Sequence, residues 1–280
     1  MAASLGPGKR IPTVSGPNPE PEVLRRYSPR MMRWFARWLG GYFRRNFDGV
    51  RLSLAGEPPA GGDQPYIIYT NHPSWWDPVL FIYLSNALIP DRRMFGPFDA
   101  EALAKYPMFR RLGCYPVERS TRRGAADFLQ TSRAILAAPN TVLWITVQGE
   151  FADTRQRPLV LQPGLAHLMR RLESGIVVPL AVEYPFWNER RPEALVRFGR
   201  PLEVASNADK SVADLDTLLA EHLTETMDDL AEEAINRDAT RFRTLLLGRT
   251  GVGGTYDINR RLKAWLSGRR FDSAHGDERE

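Results

Sequence analysis

The chain has 280 residues, a formal net charge of +5 and a pI near 9.5, with 43% hydrophobic and 25% charged residues. That is ordinary globular composition, long enough for one large domain plus an appendage. Cys114 is the only cysteine and the four histidines lack ligand-like spacing, so no disulfide framework, thiolate cluster or metal site is expected. The basic balance suits an anionic partner: nucleic acid, a membrane surface, or a phosphorylated or CoA-type ligand.

Residues 1–26 are Pro/Gly-rich, lack an apolar signal core and read as a disordered tail. A helix follows over Pro29–Phe47, where Met31, Trp34, Phe35, Trp38, Leu39, Tyr42 and Phe43 recur at helical spacing. Arg30, Arg33, Arg37, Arg44 and Arg45 fill much of its remainder, and no acid occurs between Arg25 and Phe47. Tryptophans beside arginines on an amphipathic helix fit a lipid headgroup layer. The same pattern also fits a helix packed on its own domain. Gly40 and Gly41 weaken the helix and mark a candidate break. No stretch reaches the roughly 18 apolar residues of a spanning helix.

Val50–Leu54 reads as a short strand and Gly56–Gln64 as turns. Tyr66–Thr70, with the sequence YIIYT, is a strand by its β-branched and aromatic content. Asn71 and His72 fall at its C-terminal end, where ligands are met in α/β sheets. Pro73 holds His72 extended, and Pro78 does the same to Asp77. The next helix, Pro78–Ser85, is therefore expected to begin with Asp77 as its N-cap. An imidazole and a carboxylate then stand at the two ends of one tight connection. Either they form a dyad, in which His72 takes a proton from an alcohol while Asp77 fixes its tautomer, or Asp77 is only a cap and His72 a loop residue. A carboxylate has lone pairs enough for both duties.

Further along, Asp99–Lys105, Arg122–Ala138 and Gly164–Leu172 read as helices. Leu112–Val117, Thr141–Thr146, Gly175–Val182 and Leu195–Phe198 read as strands. Gly175–Val182 is a near-continuous apolar run of the kind buried on both faces, with Pro179 as a bulge or edge feature. Alternation of strand and helix over residues 50–200 gives an α/β layered fold, a largely parallel central sheet flanked by helices. After Pro201, the stripe Val212, Leu215, Leu219, Leu223, Met227, Leu230 and Ala234 marks a long amphipathic helix. Residues 27–205 are thus the α/β domain with its N-terminal amphipathic helix. Residues 206–280 are a helical C-terminal extension packed on the same domain, with a basic disordered end. There Arg260, Arg261, Lys263, Arg269 and Arg270 offer contacts to lipid or CoA phosphates, although the glycines match neither a dinucleotide nor a P-loop pattern.

If His72 is a base, its companions should also follow strands. Arg119 does, placed either to grip a phosphate in bidentate fashion or to pair with Glu118. Gln148 and Gly149 leave the Thr141–Thr146 strand, the glycine permitting close backbone approach and the amide offering donor and acceptor. Glu150, Asp153 and Arg155 form a polar cluster beside them. No G-x-S-x-G elbow occurs, and Cys114 reads as a small buried apolar residue. No nucleic-acid-binding module is visible, so nucleic acid is not an expected partner.

These residues resemble a known pattern. Asn71-His72 with Asp77 after a strand, then Gly113-x-x-x-Val117-x-Arg119, then an apolar strand ending in Gly149, then the Ile-Val-Val-Pro strand, is similar to the glycerolphosphate and lysophospholipid acyltransferase family. The blocks span about Tyr66 to Val182 in the family's order. The resemblance implies an acyl-CoA or acyl-carrier-protein donor, an alcohol acceptor on a glycerolipid and direct attack on the thioester. No cofactor is expected, and the tryptophan–arginine helix together with the single cysteine gives a peripheral place on the cytoplasmic face of a membrane. The resemblance makes His72 the base, Asp77 its partner and Arg119 a ligand of the acceptor's phosphate, with Asn71, Gln148, Gly149, Glu150 and Arg155 as substrate-binding candidates. The family's third block commonly reads F-P-E-G; here it is Thr146-Val147-Gln148-Gly149. That departure leaves glycerol 3-phosphate, a lysophospholipid and a non-phosphate lipid alcohol all open as acceptor. It also keeps two other readings in play, a non-catalytic lipid-binding module of the same fold and a thioesterase in which water replaces the alcohol.

Overall fold

Short strands that are apolar on both faces need a layer of helices on each side, and the molecule is built that way. A computed structural model describes residues 21–60, 62–119 and 121–249. In chain order the elements are α1 (Glu22–Arg26), α2 (Pro29–Asn46), β1 (Gly49–Ser53), β2 (Tyr66–Thr70), α3 (Asp77–Leu88), β3 (Arg93–Asp99), α4 (Ala100–Lys105) and β4 (Cys114–Val117). There follow α5 (Arg122–Leu136), β5 (Thr141–Thr146), α6 (Gly164–Met169), β6 (Ile176–Glu183), β7 (Glu193–Phe198), β8 (Leu202–Glu203), α7 (Val212–Asn236) and β9 (Phe242–Leu247). The strands form one sheet in the order β4-β3-β5-β2-β6-β7-β1-β9, with β8 also paired to β6. From β4 through β6 every pairing is parallel; β6–β7, β6–β8 and β1–β9 are antiparallel.

The pleat sorts side chains between two cores. Ile67, Tyr69, Leu143, Ile145, Val177 and Ala181 face one way and pack with Phe128, Leu165, Leu219, Leu223 and Leu230 from α5, α6 and α7. Tyr66, Ile68, Val142, Trp144, Val178 and Leu180 face the other way and meet Leu39, Phe43, Leu80 and Leu84 from α2 and α3. Full burial of one such leucine or phenylalanine is worth about 1.5–3 kcal/mol, so both layers hold the sheet strongly.

Several boundaries differ from the sequence reading. α2 runs unbroken through Gly40 and Gly41. Its buried stripe, Met32, Phe35, Leu39 and Phe43, outweighs two glycines costing about 1 kcal/mol each. Glu22–Arg26 is helical rather than part of a tail, because Leu24 is buried in the core beside α5; residues 1–20 lie outside the described residues. Arg93–Asp99, not assigned from the sequence, is a strand held between β4 and β5. Gly96 fits there because a Cβ would sit 3.0 Å from the Trp144 carbonyl oxygen. Pro179 is not at an edge, and it stands where the antiparallel register slips by one residue. It lies in a central strand, where the β8 pairing of Ile176 and Val177 gives way to the β7 pairing of Leu180–Glu183, and its carbonyl accepts the Gly199 N–H at 2.9 Å. The strand β9 was also missed; it closes the sheet against β1. The C-terminal arginines and lysine, Arg260, Arg261, Lys263, Arg269 and Arg270, fall outside the described residues.

Candidate active site

Because β4, β3, β5, β2 and β6 run parallel, their C-terminal ends lie along one edge of the sheet in that order. Arg119 follows β4, Asp99 closes β3, Gln148 and Gly149 follow β5, His72 follows β2, and Tyr184 follows β6. Strand topology alone therefore gathers residues from five distant stretches.

At the centre of this edge, His72 Nδ1 lies 2.6 Å from Asp77 Oδ2. The Asp77 side chain is 0% exposed and that of His72 15%, so the pair is sheltered but the ring keeps an opening. Asp77 is the first residue of α3 rather than its N-cap; Trp76 holds the cap position. The carboxylate is turned back into the preceding loop, where Oδ2 also accepts the Ser74 N–H at 3.1 Å. Its other oxygen accepts the Tyr184 hydroxyl at 2.6 Å. With three donors on a buried carboxylate, its position is fixed. Burial, and next the Asp77 charge, push the Tyr184 hydroxyl well above the ordinary phenol value, so it stays a donor. The pairing leaves Nδ1 as the protonated ring nitrogen and Nε2 as an acceptor, with no partner for Nε2 among the described residues.

The backbone of His72 is clamped from the neighbouring strand. Its N–H donates to Gln148 Oε1 at 2.7 Å and its carbonyl accepts the Ala152 N–H at 3.0 Å. Gln148 is buried, and the oxygen it supplies is one that glutamate would also carry. Replacing an acid with an amide here thus preserves the contact that the position makes. Phe151, largely exposed, covers the imidazole with its ring centroid 4.5 Å away. Asn71 is fully engaged elsewhere: its amide exchanges two 2.9 Å hydrogen bonds with the Val182 backbone, tying β2 to β6. These two bonds give Asn71 a structural duty, and it also lines the cavity between β2, β6 and α7.

Arg119 pairs with Asp99, not Glu118, at 3.2 Å, and donates from Nη1 to the Gly149 carbonyl at 2.8 Å. The Ala102 N–H, and then Arg119, hold the Asp99 carboxyl below its usual range. Gly149 has φ +75° and lies against Gln162, a conformation and a closeness that favour glycine. Glu150 is exposed beside it. Arg155 grips Asp153 with both ends of its guanidinium, at 2.8 and 2.7 Å, and lowers that carboxyl's pKa. Tyr184, Phe151, Ser74 and Asp99 were missed from the sequence. For Tyr184 a signal existed: it stands directly after an apolar strand, as His72 does. Among the described residues no cluster of histidine, cysteine or carboxylate groups could hold a metal.

Residues 50–183 match the family model described as Acyltransferase. Among solved structures, the fold is similar to the crystal structure of the 1-acyl-sn-glycerophosphate (LPA) acyltransferase PlsC from Thermotoga maritima. The identity is 12%, the TM-score 0.49, and the match covers 72% of this chain and 79% of that one. No curated protein matches the chain.

Proposed function

We propose, from the match of residues 50–183 to the Acyltransferase family model, that the chain is an acyltransferase that moves a fatty acyl group from an acyl-CoA or acyl-carrier-protein thioester to a hydroxyl of a lysophospholipid or related glycerolipid, with His72 as general base. The observation that carries this reading is the 2.6 Å contact between His72 and a fully buried Asp77. Nε2 takes the proton of the acceptor hydroxyl as its oxygen attacks the thioester carbonyl carbon. A C–O bond forms, the C–S bond breaks, and the thiolate leaves with the proton returned from Nε2. Asp77 keeps the ring in the required tautomer and stabilises the imidazolium between the two transfers.

We place this reaction at a membrane surface, on its cytoplasmic face. Trp34 and Trp75 are each 59% exposed and Trp38 49%. Trp38 stacks on Tyr42 at 5.1 Å, Tyr42 meets Trp76 at 5.4 Å, and Trp76 stacks on Trp75 at 4.2 Å. An aromatic ridge thus runs from α2 to the loop between His72 and Asp77, flanked by exposed Arg30, Arg33, Arg37, Arg44 and Arg45. Such a surface favours an anionic lipid interface. No helix among the described residues is long and apolar enough to cross a membrane.

His72→Ala is expected to lower ester formation by about 10²–10⁴-fold, the usual weight of a positioned base, with an unchanged circular dichroism spectrum. Thiol release from acyl-CoA and lipid ester are measured together. Near-normal turnover by the folded variant refutes the assignment, and free fatty acid in place of ester points to the thioesterase instead.

A further inference from the structure

A cavity lined by Asn71, the residue before His72, and by α7 carries a charge pattern that the acyl-transfer step leaves unused. It measures about 490 Å³ and sits between the ends of β2 and β6, the segment Thr154–Arg157 and α7. That volume suits a small ligand or a head group. Its floor is apolar, while its polar lining carries both signs, Arg155 and Arg157 against Glu183 and Asp228. Arg157 is paired with Asp228, and Arg155 with Asp153. Glu183 differs. Its carboxylate makes no hydrogen bond or ion pair among the described residues, although it is half-buried at the last position of β6, next to the Tyr184 that holds Asp77. Burial raises its pKa above the usual carboxyl range, with the Arg155 charge opposing. A carboxylate kept partly from water without a partner is stabilised by an arriving cation.

Resting on the acyl-transfer reading above, we propose that this cavity holds the head group of the acceptor lipid, and that the head group is zwitterionic, a phosphodiester bearing a terminal ammonium. The ammonium meets Glu183, and the phosphate meets Arg155, which is exposed and can exchange Asp153 for it. The alternatives each leave a charge opposed or unmet. A phosphate monoester brings two negative charges against Glu183 and Asp228. An uncharged polyol supplies no cation to Glu183. A lone ammonium without phosphate meets Glu183 but gives Arg155 no anion in place of Asp153. Only a ligand with both signs matches a lining with both signs. The ester forms at the glycerol hydroxyl, whose proton passes to His72, and the head group itself is not altered.

The test compares kcat/KM for acyl transfer from acyl-CoA to lysophosphatidylethanolamine, lysophosphatidic acid and monoacylglycerol in the same mixed micelles. The wild-type chain is expected to prefer lysophosphatidylethanolamine by about tenfold, the weight of one charge-assisted contact. Glu183→Gln should lose about tenfold on that acceptor while its rate on lysophosphatidic acid holds or rises; Asp228→Asn should shift the ratio the same way by less. Preference of the wild type for lysophosphatidic acid or monoacylglycerol overturns the inference and leaves the acyl-transfer reading standing. An equal loss on all three acceptors in Glu183→Gln also overturns it. Absence of ester from every acceptor removes both.

Discussion

Tyr184→Phe tests whether the dyad is held from behind. The substitution removes one oxygen and keeps the ring, which packs on Phe47 with centroids 5.7 Å apart. What is lost is the 2.6 Å hydrogen bond to Asp77 Oδ1. Asp77 is 0% exposed, so water cannot restore the donor, and a bond to a charged acceptor is worth about 1.5–3 kcal/mol. Urea unfolding at pH 7 should show the variant less stable by that amount. The pH dependence gives a second check with a definite sign. The folded state holds the Tyr184 proton more tightly than the unfolded state does. Its contribution is therefore complete below the unfolded value of about 10 and is lost as pH rises beyond it. The gap between wild type and variant should narrow by up to about 1.4 kcal/mol per pH unit above pH 10. Tyr66, Tyr69 and Tyr115 are raised as well, but they are common to both proteins and cancel. Because Asp77 then has one anchor fewer, kcat/KM for acyl transfer should fall about tenfold, on the scale of a lost orienting contact. A variant equal to wild type in stability at pH 7, or a gap that stays constant from pH 10 to 11, refutes this account.

Two further perturbations follow from the same geometry. Gln148→Leu leaves the buried His72 N–H without an acceptor and should cost about 1–3 kcal/mol with a parallel loss of activity, whereas Gln148→Glu keeps an oxygen in place and should retain both; equal damage from the two would show that Oε1 does not matter. Trp38→Ser combined with Trp75→Ser should weaken flotation with anionic liposomes at low salt while leaving the melting temperature within a few degrees, since both rings are exposed. Unchanged flotation would remove the aromatic ridge from the membrane contact.

What could be read from the chain and what could not divides by sequence distance. His72 and Asp77 lie five positions apart, and Pro73 and Pro78 restrict the backbone between them, so their meeting was legible without coordinates. Tyr184 touches the same carboxylate from 107 positions away, and nothing local marks it except its place after a strand. The strands β2 and β5 matched their expected bounds because their apolar residues are continuous and β-branched. The strand β3 was not assigned, since Gly96 and Pro97 obey a tertiary demand, the close approach of Trp144, that local chemistry cannot express. Arg119 was rightly placed at a strand end, but its partner was misjudged. The neighbouring Glu118 is adjacent in sequence, whereas Asp99 is adjacent in the sheet, which is the nearness that decides an ion pair.

The loop leaving β5 has its near end tied to His72 and its far end held by ion pairs of Arg155 and Arg157. Residues 148–152 are bound to the His72 backbone on both its N–H and its carbonyl, so any change there is transmitted to the reacting nitrogen. Thr154, Arg155 and Arg157 border the cavity. If the cavity holds the head group as proposed, changes at Thr154, Arg155 and Arg157 should alter which lipid is accepted while the near end keeps its hold on His72.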